Sequence, residues 1–396
     1  MQYAVLEKFF LKEFRMRTKI TDLFKIKYPI ILPGMSWISV PELVAAVSNA
    51  GGLGYLATGP LTPEMTRASI KRIRELTDKP FGAGCTLLMP GARENAEVLI
   101  EEKVPVVNIS LGRGDDIIER VHKYGGKVIS TVTTEKHAVA AEKAGADALQ
   151  VTGHEAAAHG GLATTMVLVP AIVDAVSIPV LAIGGFADGR GLAAALALGA
   201  EGIGMGTRLS MTKESPVHQD TIQKQLESGI QDTLYSNRFD GLNCRVLKTP
   251  AAERAIRRGM SLPRAIIAGP RIARDMNLPF FKLMLGMIAQ GPKTMMTLAH
   301  MATAFDKIQA ATEGDLKKGV QLIGQCQGII HDVPSVEEVI LRTVEEAQKI
   351  QKEMGIKLQG KAGGAAKPAA AKKAAPKAKA APKAKAKAKK AAPKKK

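Results

Sequence analysis

Residues 178–208 read IPVLAIGGFADGRGLAAALALGAEGIGMGTR. An apolar run over 179–183 ends on Gly184 and Gly185. Asp188 then stands at a helix-capping position, leucine and alanine fill 189–198, Gly199 closes that run, and a second apolar run begins at Gly202. This is the order that a strand, a capped helix, a glycine stop and a second strand impose on a sequence. A helix between two strands returns the chain parallel to the first strand, so the stretch reads as a βαβ unit. Strands in such units are buried on both faces, which explains continuous apolar runs without alternation.

Outward from there the same unit recurs. Strands are predicted at 29–34, 54–58, 81–87, 105–110, 127–132, 147–152, 179–183 and 202–206. Helices are predicted at 39–49, 62–77, 91–102, 114–124, 135–144, 165–176 and 189–198, with an eighth beginning near 214. Eight units predict an α/β fold of the (β/α)8 TIM-barrel type. A doubly wound open sheet competes, because counting strands does not prove closure. Thr62-Pro63-Glu64 and Ser335 with Glu338 are helix-start signals, the second a capping box ahead of a helix over 335–353.

The domain reading is an N-terminal arm over 1–18, the barrel over 19–229, a helical cap insertion over 230–310, a helical segment over 311–357 that packs on the barrel, and a tail over 358–396. The insertion is rich in Met, Arg, Gly and Pro. The tail is built of Lys, Ala and Pro and lacks the apolar content to form a core, so disorder is expected there.

Of the formal net charge of +19, the 14 lysines of 361–396 supply all but +5. The body is therefore only mildly basic, and its charge does not argue for nucleic acid. The tail is another matter: contact with nucleic acid or an anionic surface through it competes with a merely solubilising role. The three cysteines, Cys85, Cys244 and Cys326, are widely spaced and form no CxxC, so neither a disulfide framework nor a zinc site is expected and a reducing cytoplasm fits. No apolar run reaches the length of a membrane span.

Three motifs carry chemistry. Gly184-Gly185 and Gly206-Thr207 follow strands seven and eight, where barrels commonly bind phosphate through backbone N–H groups. A side chain there would keep a phosphate from the amides, and Thr207 adds a hydroxyl donor. Gly51-Gly52-Leu53-Gly54 is a weaker signal of the same kind. The run Thr152-Gly153-His154-Glu155-Ala156-Ala157-Ala158-His159 follows strand six and offers a histidine at the face where barrel chemistry sits. A metal reading of His154, Glu155 and His159 is disfavoured, since no third ligand is evident beside the two histidines. Arg208 stands between aiding a phosphate and forming a surface ion pair.

The segments KYPIILPGM, SNAGGLGYL, GHEAAAHGG, the whole of 178–208 and GQCQGIIHDVPSVEEV resemble the nitronate monooxygenase family, which includes FMN-dependent enoyl-ACP reductases. The resemblance runs from Ile26 to about residue 350. It implies an FMN barrel with a helical cap, with Pro33, Gly34 and Met35 lining the flavin ring region and Thr152, Gly153 and Glu155 beside the flavin. Gly184, Gly185, Gly206 and Thr207 would hold the FMN phosphate, and His159 would be the active-site histidine. Ala157-Ala158 departs from the Gly-Gly usual before that histidine, and Gly34 intervenes between a proline and a methionine that are usually adjacent. The activity implied is oxidation of alkyl nitronates to carbonyl compound and nitrite with O2. The alternative within the resemblance is NAD(P)H-dependent reduction of an enoyl-ACP or a quinone. The expected partners are a small-molecule substrate and O2, with a homodimer as a further expectation.

Overall fold

The computed structural model describes residues 16–157, 159–259 and 291–359, with isolated positions 267, 270, 273 and 274. Residues 1–15 of the arm, the middle of the cap insertion and the tail beyond 359 lie outside the described residues. By internal contacts the chain divides into Met1–Lys352 and Glu353–Lys396; the barrel and its insertion belong to the first unit.

Eight parallel strands close into a ring: β1 Ile30–Leu32, β2 Leu53–Ala57, β3 Gly82–Thr86, β4 Val106–Ser110, β5 Lys127–Val132, β6 Ala148–Thr152, β7 Val180–Ile183 and β8 Gly202–Gly204. Pairing of Ile31 with Gly204 joins β1 to β8 and excludes the open sheet. After α1 (Lys19–Phe24), the helices between strands are α2 Pro41–Asn49, α3 Pro63–Leu76, α4 Ala92–Glu101, α5 Asp115–Lys123, α6 Glu135–Lys143, α7 Thr165–Ala175 and α8 Gly189–Ala197.

The start signals act as read. The Thr62 side chain accepts from the Met65 amide at 3.2 Å. Asp188 accepts from the amides of Arg190 and Gly191. Ser335 and Glu338 bond reciprocally, each at 3.2 Å, and open the last helix, α13 (Val336–Leu358).

Two apolar shells hold the barrel. Ile31, Leu53, Tyr55, Val106, Ile129, Ala148, Leu181 and Ile183 fill its inside, and Ile20 and Phe24 of α1 pack against them. Side chains on the other faces of the strands, such as Val107, Leu149 and Ile203, meet the surrounding helices. Alternate residues of one strand therefore serve different shells.

Two elements depart from expectation. The helical unit after β8 is split into a five-residue helix, α9 (Gly206–Ser210), and a longer one, α10 (Gln219–Leu226), so no helix begins near 214. Pro216 stands between the two and has no amide to donate. The insertion also opens on an antiparallel hairpin, β9 (Thr233–Ser236) and β10 (Cys244–Leu247), ahead of α11 (Pro250–Arg258) and α12 (Pro292–Thr312). Trp37, in the loop after β1, meets Phe305 of α12 edge to face at 4.3 Å between ring centroids, which brings the insertion to the barrel mouth. No helix among the described residues is long and apolar enough to cross a membrane.

Candidate active site

The strand ends supply the floor. On β6, Ala148 belongs to the inner shell while Leu149 and Val151 belong to the outer one, so Gln150 and Thr152 face the barrel interior. Both are buried. Gln150 Oε1 meets no donor among the described residues. On β4, Asn108 also faces inward and donates to the Thr131 hydroxyl at 3.0 Å.

Beyond Thr152 the chain is fitted tightly. A Cβ on Gly153 would stand 2.0 Å from Thr165 Oγ1 and 2.8 Å from the Thr165 amide nitrogen. Thr165, the first residue of α7, donates its amide to Glu155 Oε2 at 2.9 Å, and its hydroxyl lies 2.7 Å from the same oxygen and 2.9 Å from the Gly184 carbonyl. Glu155 thus spends its carboxylate at the start of α7, where negative charge is favoured.

Closure of the ring sets the turn after β8 beside the first loop and the turn after β7 beside the loop after β6. Gly184 and Gly185 have φ of +104° and +92°, a backbone region in which L side chains are strained. A Cβ on Gly206 would come within 3.2 Å of Met35 Sδ and 3.5 Å of Pro33 Cγ. The Ser39 hydroxyl fastens that first loop, donating to the Pro33 carbonyl at 2.8 Å and accepting from the Met35 amide at 3.0 Å. Pro33, Met35 and Gly206 are thus neighbours, as are Gly153, Glu155, Gly184 and Gly185. Gly34 lies exposed on the rim.

The sequence reading left one closing segment without a role. The Gly324 amide donates to Thr207 Oγ1 at 2.9 Å, and the Gln325 amide donates to the Glu155 carbonyl at 2.9 Å. Thr207 thereby uses a lone pair, and its hydroxyl also meets the Cys326 side chain. Cys326, next in line, is buried, and that burial pushes its thiol up to about 11. It is not a thiolate at neutral pH.

Of its two sequence readings, Arg208 takes up the ion pair, but from a buried position. It is buried, and it donates to Asp332 Oδ1 at 2.8 Å, the Asp332 carbonyl at 2.9 Å and the Met211 carbonyl at 2.8 Å. It ties the end of β8 to the approach of α13.

His159 has φ of +51°, uncommon for a residue with a side chain. The β9–β10 hairpin holds it there. The Arg245 amide donates to the Ala157 carbonyl, Tyr235 Oη donates to the Gly160 carbonyl at 2.9 Å, and the Arg245 guanidinium donates to the His154 carbonyl at 3.0 Å. His159 Nε2 lies 2.9 Å from Oδ2 of Asp240, whose side chain is 6% exposed against 26% for the histidine. The other carboxylate oxygen accepts from the Leu242 amide at 3.0 Å. With a carboxylate at Nε2, the proton belongs on Nε2, and Nδ1 of the neutral ring is left as a lone pair. His154 packs against Tyr235, ring centroids 4.2 Å apart and tilted at 53°, so the two histidines of the motif have different surroundings.

The sequence reading missed Gln150, Asp240, Tyr235, Arg245 and Gly324. Inward alternation on β6 points to Gln150, two residues before Thr152. Asp240 lies 81 residues from His159, and no local pattern links them.

The chain matches the family model described as nitronate monooxygenase over residues 17–99 and 91–346. A "(3aS,4S,5R,7aS)-5-hydroxy-7a-methyl-1-oxo-octahydro-1H-indene-4-carboxyl-CoA dehydrogenase" of Rhodococcus jostii is 36% identical over 347 residues, which are 84% of this chain and 96% of the relative. A probable nitronate monooxygenase of Staphylococcus saprophyticus is 34% identical over 274 residues, 57% of this chain and 77% of the relative. Among solved structures, FabK from Thermotoga maritima matches with a TM-score of 0.73 at 36% identity, covering 86% of this chain and 99% of FabK. A nitroalkane oxidase from Streptomyces ansochromogenes matches with a TM-score of 0.68 at 26% identity, covering 85% of this chain and 99% of the oxidase.

Proposed function

The chain belongs to the nitronate monooxygenase family and is an oxidoreductase, and from that premise we propose that it is FMN-dependent, with His159 as its proton-handling group. The observation that carries this reading is the His159–Asp240 pair, held beside a glycine-lined turn at the mouth of a closed barrel.

The residues present fit FMN in two respects. Gly184 and Gly185 after β7 and Gly206 after β8 leave turns without side chains of their own, and Thr207 adds a hydroxyl beside the second. Inside the mouth, Gln150 Oε1 is an orphaned buried acceptor, which costs about 1–3 kcal/mol unless a donor meets it. A flavin ring N–H is such a donor. Pro33, Gly34, Met35, Thr152 and Gly153 would border the ring, with Glu155 bracing the turn from behind. When bound, FMN supplies the electron-accepting chemistry.

The protein's own work is position and proton transfer. With Nε2 anchored on Asp240, the imidazole presents Nδ1 as a lone pair that can take an α-proton from a neutral nitroalkane. Once protonated there, the ring presents an N–H donor to an anionic nitronate, and Asp240 stabilises the added charge. The bond to Asp240 keeps the ring from swinging away. On this reading the substrate is an alkyl nitronate, oxidised with O2 to a carbonyl compound and nitrite.

A second reading is supported by the relatives themselves. The CoA dehydrogenase and FabK match at 36% over 84–86% of this chain, whereas the probable nitronate monooxygenase matches over 57%. That favours a thioester substrate exchanging electrons with NAD(P)H through the same site. The test is anaerobic mixing of the purified protein with an alkyl nitronate and, separately, with NADH or NADPH. Bleaching of the flavin by nitronate alone supports the first reading. Bleaching by NAD(P)H alone supports the second, and no response to any of them counts against both.

A further inference from the structure

The lysines beyond residue 360 are a charge that the rest of the chain does not balance. Residues 361–396 contain only Lys, Ala, Gly and Pro, and 14 of them are lysine. Of the 56 lysines and arginines in the chain, 42 lie in residues 1–360, together with all 37 acidic residues. That body keeps a net charge of +5, so it has no surplus of acids to neutralise the tail. Many of its acids are already paired, as Glu102 is with Arg67 and Arg74, and Asp332 with Arg208 and Arg342. The basic run begins before the tail: Lys349, Lys352 and Lys357 are exposed in the last turns of α13, with Glu353 the one acid over residues 349–359.

Solubility does not require this charge. A net charge of about 2–8 is enough to keep a small domain in solution, and added acids serve that end better than added lysines. The body already carries +5. A bilayer does not match it either. Attachment through basic residues becomes stable when a second, apolar signal joins them, and the tail has no apolar side chain larger than alanine or proline. At the end of α13, Met354, Ile356 and Leu358 are exposed. Met354 and Leu358 fall on one side of the helix and Ile356 on the opposite side, so no single apolar face is presented there.

A nucleic-acid duplex does match. It presents one phosphate charge per about 1.7 Å of axis without a break, and the tail presents lysines along its whole length with no acid between them. Its 36 residues reach at most about 120–130 Å, the length of about 35 base pairs. Lysine meets phosphate as a point charge. The tail holds no arginine to read a base edge and no aromatic ring to stack on one. We propose that residues 361–396 bind duplex nucleic acid through its phosphates, without sequence preference, and hold the enzyme there. The reading is independent of the chemistry at His159.

The test is fluorescence anisotropy of a labelled, mixed-sequence duplex of about 40 base pairs, titrated with the full chain at salt concentrations from about 50 to 200 mM. Two triple variants lose the same charge. One carries Lys387→Gln, Lys389→Gln and Lys390→Gln in the tail, and the other Lys71→Gln, Lys136→Gln and Lys143→Gln at exposed positions of the body. Wild-type affinity should fall about 1000-fold or more across the salt range. The tail triple should reduce the slope of log K against log salt by about 2–3 and weaken binding at low salt about tenfold or more. The body triple should change neither, and melting temperature should be the same in all three proteins. Absence of binding at about 50 mM salt would overturn the proposal, as would equal weakening by the two triples. Tighter binding to vesicles rich in phosphatidylserine than to the duplex would overturn it as well, and would assign the tail to a membrane surface.

Discussion

Gly153→Ala is the substitution whose cost follows most directly from the structure. The backbone at Gly153 has no positive φ, so alanine brings no conformational strain of its own. The cost is steric. The added methyl would stand 2.0 Å from Thr165 Oγ1 and 2.8 Å from both Cα and N of the same residue. Rotating the hydroxyl away relieves only the first contact, so the start of α7 must move. That movement breaks the bond from the Thr165 amide to the Glu155 carboxylate and the one bond its hydroxyl donates, to that carboxylate or to the Gly184 carbonyl. Overpacking costs about 1–3 kcal/mol, and hydrogen bonds to a charged group are worth about 1.5–3 kcal/mol each. Partial relaxation should leave a net loss of about 3–5 kcal/mol, roughly 4–7 °C in melting temperature for a domain of this size. Gly184 is part of the proposed phosphate turn, so FMN retention should fall with stability. Thr165→Ala removes the nearest clash but not the backbone one. The double variant should therefore be less destabilised than the sum of the two single ones by about 1 kcal/mol. Thermal melts of the four proteins test this. A Gly153→Ala protein that melts with the wild type and keeps its flavin would refute the packing account.

Asp240→Asn should lower kcat/KM about 100-fold with flavin content unchanged, and adding it to His159→Gln should cost nothing more; an additive loss would mean that Asp240 acts elsewhere. Gly324→Ala would set a methyl 3.0 Å from the Glu155 carbonyl and 3.2 Å from Thr207 Oγ1. It should weaken FMN binding to the apoprotein about 5- to 10-fold through the displaced hydroxyl, and an unchanged Kd would remove Thr207 from the phosphate site. Burial would raise the Asp332 carboxyl, but the hydrogen bonds and charges of Arg208 and Arg342 outweigh it and hold its pKa below the ordinary 3.8. Its contribution to stability is therefore complete above about pH 4 and is lost as pH falls through the lower folded value. Asp332→Asn should cost about 1–2 kcal/mol at pH 7, a discounted figure because Asp332 is half exposed, and should flatten the acid limb of the stability curve; a variant with the wild-type acid limb would contradict the assignment.

The barrel was legible because buried parallel strands are plain apolar runs and the turns between them carry their own glycines and caps. Each of the eight strands falls where its run does. The hairpin was less legible. TLYS and CRVL are short and mix polar with apolar side chains, and although Asp240-Gly241 is a turn signal, seven residues separate the two strands. The site divides in the same way. Glycines at strand ends are readable from their position alone. The partner of His159 and the partner of Arg208 lie 81 and 124 residues away in sequence, and only the folded chain brings them together. Glu155 shows the converse: the motif marked it, and the structure gives its carboxylate to the first turn of α7.

The measurement that bears most directly on the central claim is the visible absorption spectrum of the purified protein, taken beside that of a Gly185→Val variant. A valine at a φ of +92° would close the turn proposed for the phosphate. A yellow wild-type protein that releases FMN on denaturation, with a folded but colourless variant, is the result expected. A wild-type protein that stays colourless after incubation with FMN, or a variant that holds FMN as tightly as the wild type, would contradict it.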